Sequence, residues 1–194
     1  VNEPADTKVW LVPADGRRWR FDPGSVSLAF GYTGDFGHGV EEWESLRGAS
    51  DLDAWLSERF GPMSAASDSE VLCSAKQLRA AMTSAARAAA VGRPLDAGDV
   101  DTINDWASRP ALHPHLPGGT TAPTPPTPAQ LLATIAHDGV RSLSGARGTI
   151  RECTAEDCRL IFLDTSRPQN RRWCSMGRCG GRAKARTHYA RHTH

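Results

Sequence analysis

Cys153-Thr154-Ala155-Glu156-Asp157-Cys158 and Cys174-Ser175-Met176-Gly177-Arg178-Cys179 stand fifteen residues apart in the last quarter of the chain. Each segment reads C-x4-C. Two close cysteine pairs joined by a medium loop is the spacing of a tetrahedral metal site, each pair on a tight turn and the loop bringing the turns together. Four thiolates suit one structural Zn2+ and leave no open coordination position, so the site is expected to hold a fold rather than perform catalysis, and the chain is not expected to be an enzyme. The fifth cysteine, Cys73, lies far away inside an apolar helical pattern and reads as a small buried hydrophobe. His188 and His192 could replace one pair in a Cys/Cys/His/His site, but Cys174 and Cys179 would then stand idle at ligand spacing. An iron–sulfur cluster uses the same four-cysteine set, but nothing else in the sequence points to redox chemistry.

Charge concentrates around these cysteines. Residues 147–194 hold eleven Lys/Arg against four Asp/Glu, a net of +7. The whole-chain totals of 23 and 22 leave twelve and eighteen for residues 1–146, a net of −6. A basic module on an acidic body is a nucleic-acid-binding layout. Arg171, Arg172, Arg178, Arg182, Lys184, Arg186 and Arg191 are the candidate DNA contacts. Guanidinium groups grip phosphate oxygens and guanine edges in bidentate fashion. The expected function is a DNA-binding transcription regulator whose zinc module and basic helix contact double-stranded DNA. The alternative is a zinc-stabilised interaction module that binds an acidic protein partner.

Upstream, Val9–Val12 and Arg18–Phe21 flank a turn at Asp15-Gly16 and read as a β-hairpin limited by Pro13. A short buried element is expected around Leu28-Ala29-Phe30. Ser50 is expected to cap a helix that carries Leu52, Trp55, Leu56 and Phe60 and stops at Gly61-Pro62. Ser67 and Glu70 form a capping-box pattern before a long helix with Leu72, Ala75, Leu78, Met82 and Ala85 on one face. Asp96 opens a shorter helix with Val100, Ile103 and Trp106. A Pro/Thr-rich connector then leads to Thr127, Pro128 and Gln130, a second capping box with Pro at the first helical position. Leu160–Leu163 is a β-type run within the cysteine loop, and a short basic helix follows Cys179.

At these residues a resemblance emerges. Phe162-Leu163-Asp164-Thr165-Ser166, Arg171-Arg172-Trp173-Cys174-Ser175-Met176 and Cys179-Gly180-Gly181-Arg182 resemble the CGNR-type zinc finger. Leu28-Ala29-Phe30, Leu52–Leu56, Gln77–Ala81 and Gly92–Leu95 resemble the ABATE domain that usually precedes that finger in bacterial, stress-linked transcription regulators. The resemblance implies a mostly helical body, one zinc on Cys153, Cys158, Cys174 and Cys179, and DNA binding by the finger. Two departures stand out: Gly181 replaces the finger's signature Asn, and Gly31 and Gly34 replace an Asp and an Asn of the body.

The fold class expected is mainly α with small β elements (α+β). A helical body with an N-terminal hairpin spans 1–146, and a basic zinc-finger module spans 147–194. No run of eighteen apolar residues exists, so no membrane span is expected. Val1-Asn2-Glu3-Pro4 lacks a leader's basic-then-apolar pattern, and reduced thiols suit the cytoplasm. Trp10, Trp19, Trp43, Trp55 and Trp106 are expected mainly to fill the core, with a small-molecule effector pocket as their second use. His38, His113, His115 and His137 lack ligand spacing. A homodimer is expected only from the way regulators read paired half-sites.

Overall fold

The computed structural model describes residues 6–12, 18–116, 118–120 and 122–192, with side chains placed as far as Arg186 in the last helix. The fold is α+β. Strand β1 (Val9–Leu11) pairs antiparallel with β2 (Trp19–Phe21), Val9 opposite Phe21. The expected turn at Asp15-Gly16, with Pro13, lies outside the described residues. Helix α1 (Val26–Gly31) is a single buried stretch. Its cap, Ser25, accepts from the Leu28 N–H at 3.2 Å.

Helix α2 (Ala49–Phe60) begins two residues earlier than expected: the cap is Gly48, not Ser50. The Asp51 carboxylate accepts from the Gly48 N–H at 2.8 Å, so the carboxylate at the third helical position outcompetes a serine hydroxyl. Gly61, at φ +86, ends the helix in backbone that favours glycine. Helix α3 (Ser69–Ala90) is capped by Asp68, not Ser67. Asp68 accepts from Val71 N–H at 2.8 Å, while Ser67 N–H donates to the Asp53 carboxylate at 3.0 Å and ties α3 to α2. Helix α4 (Ala97–Ala107) starts at Asp96 and α5 (Pro128–Leu143) at the Thr127/Gln130 box, both as the sequence predicts.

Two apolar cores result. In the first, Phe30, Leu52, Leu56, Leu78, Met82, Ile103, Trp106, Leu131 and Ile135 interlock α1 with α2 to α5. The second joins the hairpin, α1 and a small sheet of β3 (Thr149–Glu152) and β4 (Ile161–Asp164), paired antiparallel with Ile150 opposite Leu163. Its members include Val9, Phe21, Tyr32, Phe36, Ile150, Phe162 and three of the cysteines. The apolar core therefore runs across the 146/147 boundary. Helix α6 (Gly181–His192) closes the chain. No helix among the described residues is long and apolar enough to cross a membrane.

Two expectations about single residues fail. Cys73 is exposed, on the polar face of α3 opposite Ala75 and Leu78. Of the five body tryptophans, Trp106 fills the core and Trp55 packs against Phe30 with ring centroids 5.2 Å apart, but Trp10 and Trp43 are exposed.

Candidate metal centre and basic helix

The β3–β4 pair builds the first half of the centre. Cys153 follows β3 directly, and its N–H donates to the Leu160 carbonyl at 2.8 Å, extending the hairpin to its tip. The tip folds back where Cys158 N–H reaches the Ala155 carbonyl at 3.1 Å. Thr154 N–H then donates to Arg172 O at 2.9 Å and fastens this turn to the segment carrying the second pair. That segment turns wide at Met176–Gly180, ending as Gly180 N–H bonds Ser175 O at 3.0 Å. Gly180 leaves room for its neighbours: a Cβ there would lie 2.7 Å from the Met176 sulfur and 3.3 Å from the Trp173 ring, so the exposed Met176 side chain would have to move aside.

The ligand sulfurs of Cys153, Cys158, Cys174 and Cys179 all lie within 4.8 Å of one another. Cys158 and Cys174 are 3.5 Å apart and Cys174 and Cys179 3.6 Å, against a tetrahedron edge of about 3.8 Å for sulfurs 2.3 Å from a common zinc. Cys153, Cys174 and Cys179 are buried. Cys174 N–H donates to Cys153 Sγ at 3.4 Å and Arg182 to Cys179 Sγ at 3.5 Å, bonds that favour sulfur as thiolate. Hydrogen bonds from Cys158 and Cys174 draw the Cys153 thiol down to about 2. Serving as donor to Cys153 pushes Cys158 up to about 12 and raises Cys174 too. Protons alone thus leave Cys153, Cys158 and Cys174 sharing a thiolate, and binding of a divalent cation favours the thiolate form of its ligands. The donor set, spacing and burial fit one structural zinc, held by these four residues.

The basic residues do not form one surface. Arg171 is turned inward: its Nε donates to Trp173 O at 2.8 Å, its terminal nitrogen donates to Cys174 O, and its guanidinium lies 4.4 Å from the Phe162 ring centre. Arg178 lies 4.9 Å from the Trp19 ring centre on β2. Arg182 makes a forked pair with Asp157 at 2.9 and 3.3 Å. Arg172, Lys184 and Arg186 are exposed. The side chains of Arg191, His188 and His192 lie outside the described residues.

Three residues that build the site escaped the sequence reading. The Tyr32 hydroxyl donates to Ile161 O at 2.9 Å and accepts from Ile161 N–H at 2.8 Å, so one buried side chain latches the body to β4. Pro23 O accepts from Leu163 N–H at 2.8 Å on the same strand. Asp164 is 1 % exposed and accepts from Ser166 N–H at 3.0 Å, Ser166 Oγ–H at 2.6 Å and Arg171 N–H at 2.7 Å. Burial pushes its carboxyl upward, but those hydrogen bonds and the Arg151 charge outweigh burial and hold it below the ordinary range. The Asp-x-Ser spacing at 164–166 is a legible turn signature. Tyr32 and Pro23 carry no local signal, because their partners lie more than a hundred residues on.

The family departures have physical settings. A Cβ at Gly181 would meet Met176 O at 3.3 Å, a close but tolerable approach. Gly31 is different: the Phe36 ring fills the space beside it, 2.5 Å from where a Cβ would stand. At Gly34 the Arg79 guanidinium comes within 3.0 Å, held by Glu44 at 2.5 Å and Thr33 at 3.1 Å.

Comparison with known proteins agrees with this arrangement. A search of curated proteins found no match. The CGNR zinc finger matches residues 149–192, which contain all four ligands and α6. The ABATE family, described as "Putative stress-induced transcription regulator", matches residues 24–146, more than half of the chain. From the shared zinc quartet, the helical body and these two matches, the chain belongs to the ABATE family and carries a C-terminal CGNR zinc finger.

Proposed function

We propose that this chain is a transcription regulator that binds double-stranded DNA through its zinc finger. The observation that carries the reading is a set of exposed cations on a zinc-anchored frame. Lys184 and Arg186 stand on α6 about one and a half and two turns beyond the ligand Cys179, and Arg172 precedes the ligand Cys174 by two residues. The zinc fixes where α6 starts, so its cations face a backbone of phosphates with their spacing set in advance. Arg182 and Arg178 add charge at the same end. Arg171 acts through position: it braces the Trp173–Cys174 carbonyls so that Arg172 points outward. The −6 body repels DNA from other faces and directs binding to the finger. With sulfur at all four metal positions, the zinc in this reading takes no substrate.

Gly181 supplies no side chain where the family has Asn, so base choice falls on the arginines and phosphate contact on Lys184. The test is selection of bound sequences from a random duplex pool by the zinc-loaded chain. Enrichment of a defined motif, lost on chelation of zinc, supports the reading. Recovery of an unenriched pool equal to that from the chelated protein contradicts it.

A further inference from the structure

Between the body and the finger lies a cavity of about 790 Å³, within the roughly 300–1,000 Å³ typical of small-molecule sites. Its walls account for the two exposed tryptophans, Trp10 and Trp43. Trp10, Trp19, Trp43 and Trp55 line it together with Tyr32. Trp10 is 55 % and Trp43 37 % exposed; Arg18 lies 4.3 Å from the Trp10 ring centre and the His38 ring 5.9 Å from that of Trp43, so neither indole is enclosed by the core. The finger contributes Cys158, Leu160 and Arg178 to the lining.

Arg59 supplies the polar anchor. Its side chain is only 6 % exposed. It lies 4.1 Å from the Trp55 ring centre and donates to Lys8 O at 3.2 Å, and its Nε is buried with no hydrogen-bond acceptor among the described residues. A buried guanidinium donor without an acceptor costs free energy unless a ligand supplies one. The acids Asp6, Glu58 and Asp157 around the cavity are already paired with Arg20, Arg59 and Arg182; Glu42 is exposed. Burial lowers the Arg59 pKa, while its Glu58 partner at 2.8 Å acts in the opposite direction.

We propose that this cavity binds a planar aromatic carboxylate, rings against the tryptophans and carboxylate on Arg59, and that its occupancy stiffens the zinc finger. Flat rings match the aromatic walls, and a carboxylate oxygen supplies the acceptor that the Arg59 Nε lacks. Coupling follows from the shared wall, since a ligand seated there covers the half-buried thiolate of Cys158 and the base of the turn that starts α6. The consequence for regulation rests on the DNA-binding reading above; the binding site does not.

The experiment titrates 2-naphthoate and its neutral counterpart 2-naphthamide into the full zinc-loaded chain by calorimetry, and follows zinc transfer to a chelating dye with each. The expected result is saturable 2-naphthoate binding, with the amide weaker by about tenfold or more. Arg59→Met should erase that preference, and Trp10→Ala, which alters no buried side chain, should weaken both compounds alike. Zinc transfer should slow when 2-naphthoate is bound. Absence of binding at millimolar concentration, or an unchanged preference in Arg59→Met, overturns the site. Binding with an unchanged zinc-transfer rate overturns the coupling. If naphthoate binds and slows zinc transfer while the chain retains no DNA, the site stands and the DNA reading falls.

Discussion

The helical body and the finger reach stability by different routes. The body closes around fully buried aliphatic side chains from five helices, Leu52, Leu56, Leu78, Leu131 and Ile135 among them. Its helices are capped by their own side chains, as at Asp68, Asp96 and Thr127. The finger has two four-residue strands and a helix with no apolar stripe. It is held by the metal quartet, by Asp164, and by borrowed contacts from the body at Tyr32 and Pro23. A region with too few apolar side chains to fold on its own uses metal and a neighbour instead.

The contrast breaks most visibly at the metal. Cys174→Ser should lose zinc and unfold the finger, removing a binding term on the order of 10–16 kcal/mol from that module. Far-ultraviolet circular dichroism should keep most of the helical signal of α2 to α5. Stoichiometric zinc in the variant, measured by atomic absorption, would disprove the four-thiolate assignment.

The reverse perturbation comes next. Leu78→Ala opens a cavity in the first core and should cost about 2–5 kcal/mol in urea unfolding of the body. Zinc content should stay at one per folded chain. Zinc loss that shifts down with the variant's own lowered unfolding midpoint would mean that the two regions form a single cooperative unit.

Tyr32→Phe tests the latch between them. It removes one oxygen but leaves the Ile161 N–H and C=O buried without partners, a cost of about 1–3 kcal/mol. Because the loss falls on β4, zinc transfer to a chelator should accelerate while the midpoint for α2 to α5 moves less. An unchanged rate of zinc transfer with a lowered midpoint for α2 to α5 would place the role of Tyr32 in the body alone.

The smallest effect is the pH-dependent one. Burial pushes the Glu44 carboxyl up, but its bonds from Arg79 and Leu46 N–H outweigh this and set it below the ordinary 4.5. A depressed folded pKa stabilises above the unfolded value, and that gain disappears as pH falls through the folded one. Glu44→Gln should therefore cost at most about 1 kcal/mol at neutral pH. The difference from wild type should shrink as pH drops below 4.5. A gap that widens in acid would reverse the sign.

The same contrast governs what could be read in the sequence. Local rules worked where the cause was local: the three- and four-residue apolar steps of α3 and α5, the Thr127/Gln130 box, and the paired cysteines. The caps of α2 and α3 were misplaced by one or two positions because competing serines and aspartates lie side by side, and only geometry decides which oxygen meets the helix. Strand β3 was invisible, since Thr149-Ile150-Arg151-Glu152 carries one aliphatic residue and acquires its partner twelve positions later. Cys73 and the exposed tryptophans were assigned to the core on residue type, but their burial depends on which helix face meets a neighbour. The latch and the cavity at the junction follow from contacts between residues far apart in sequence, and no local pattern encodes them.

We propose that the finger reads duplex DNA in a zinc-dependent way. The most direct test is the affinity of the zinc-loaded chain for its selected duplex as a function of salt. The logarithm of the binding constant should fall linearly with the logarithm of salt concentration, with the slope reduced by about one for each of Lys184→Ala and Arg186→Ala, and binding should vanish on chelation of zinc. A binding constant indifferent to salt, or unchanged by removing the metal, would contradict it.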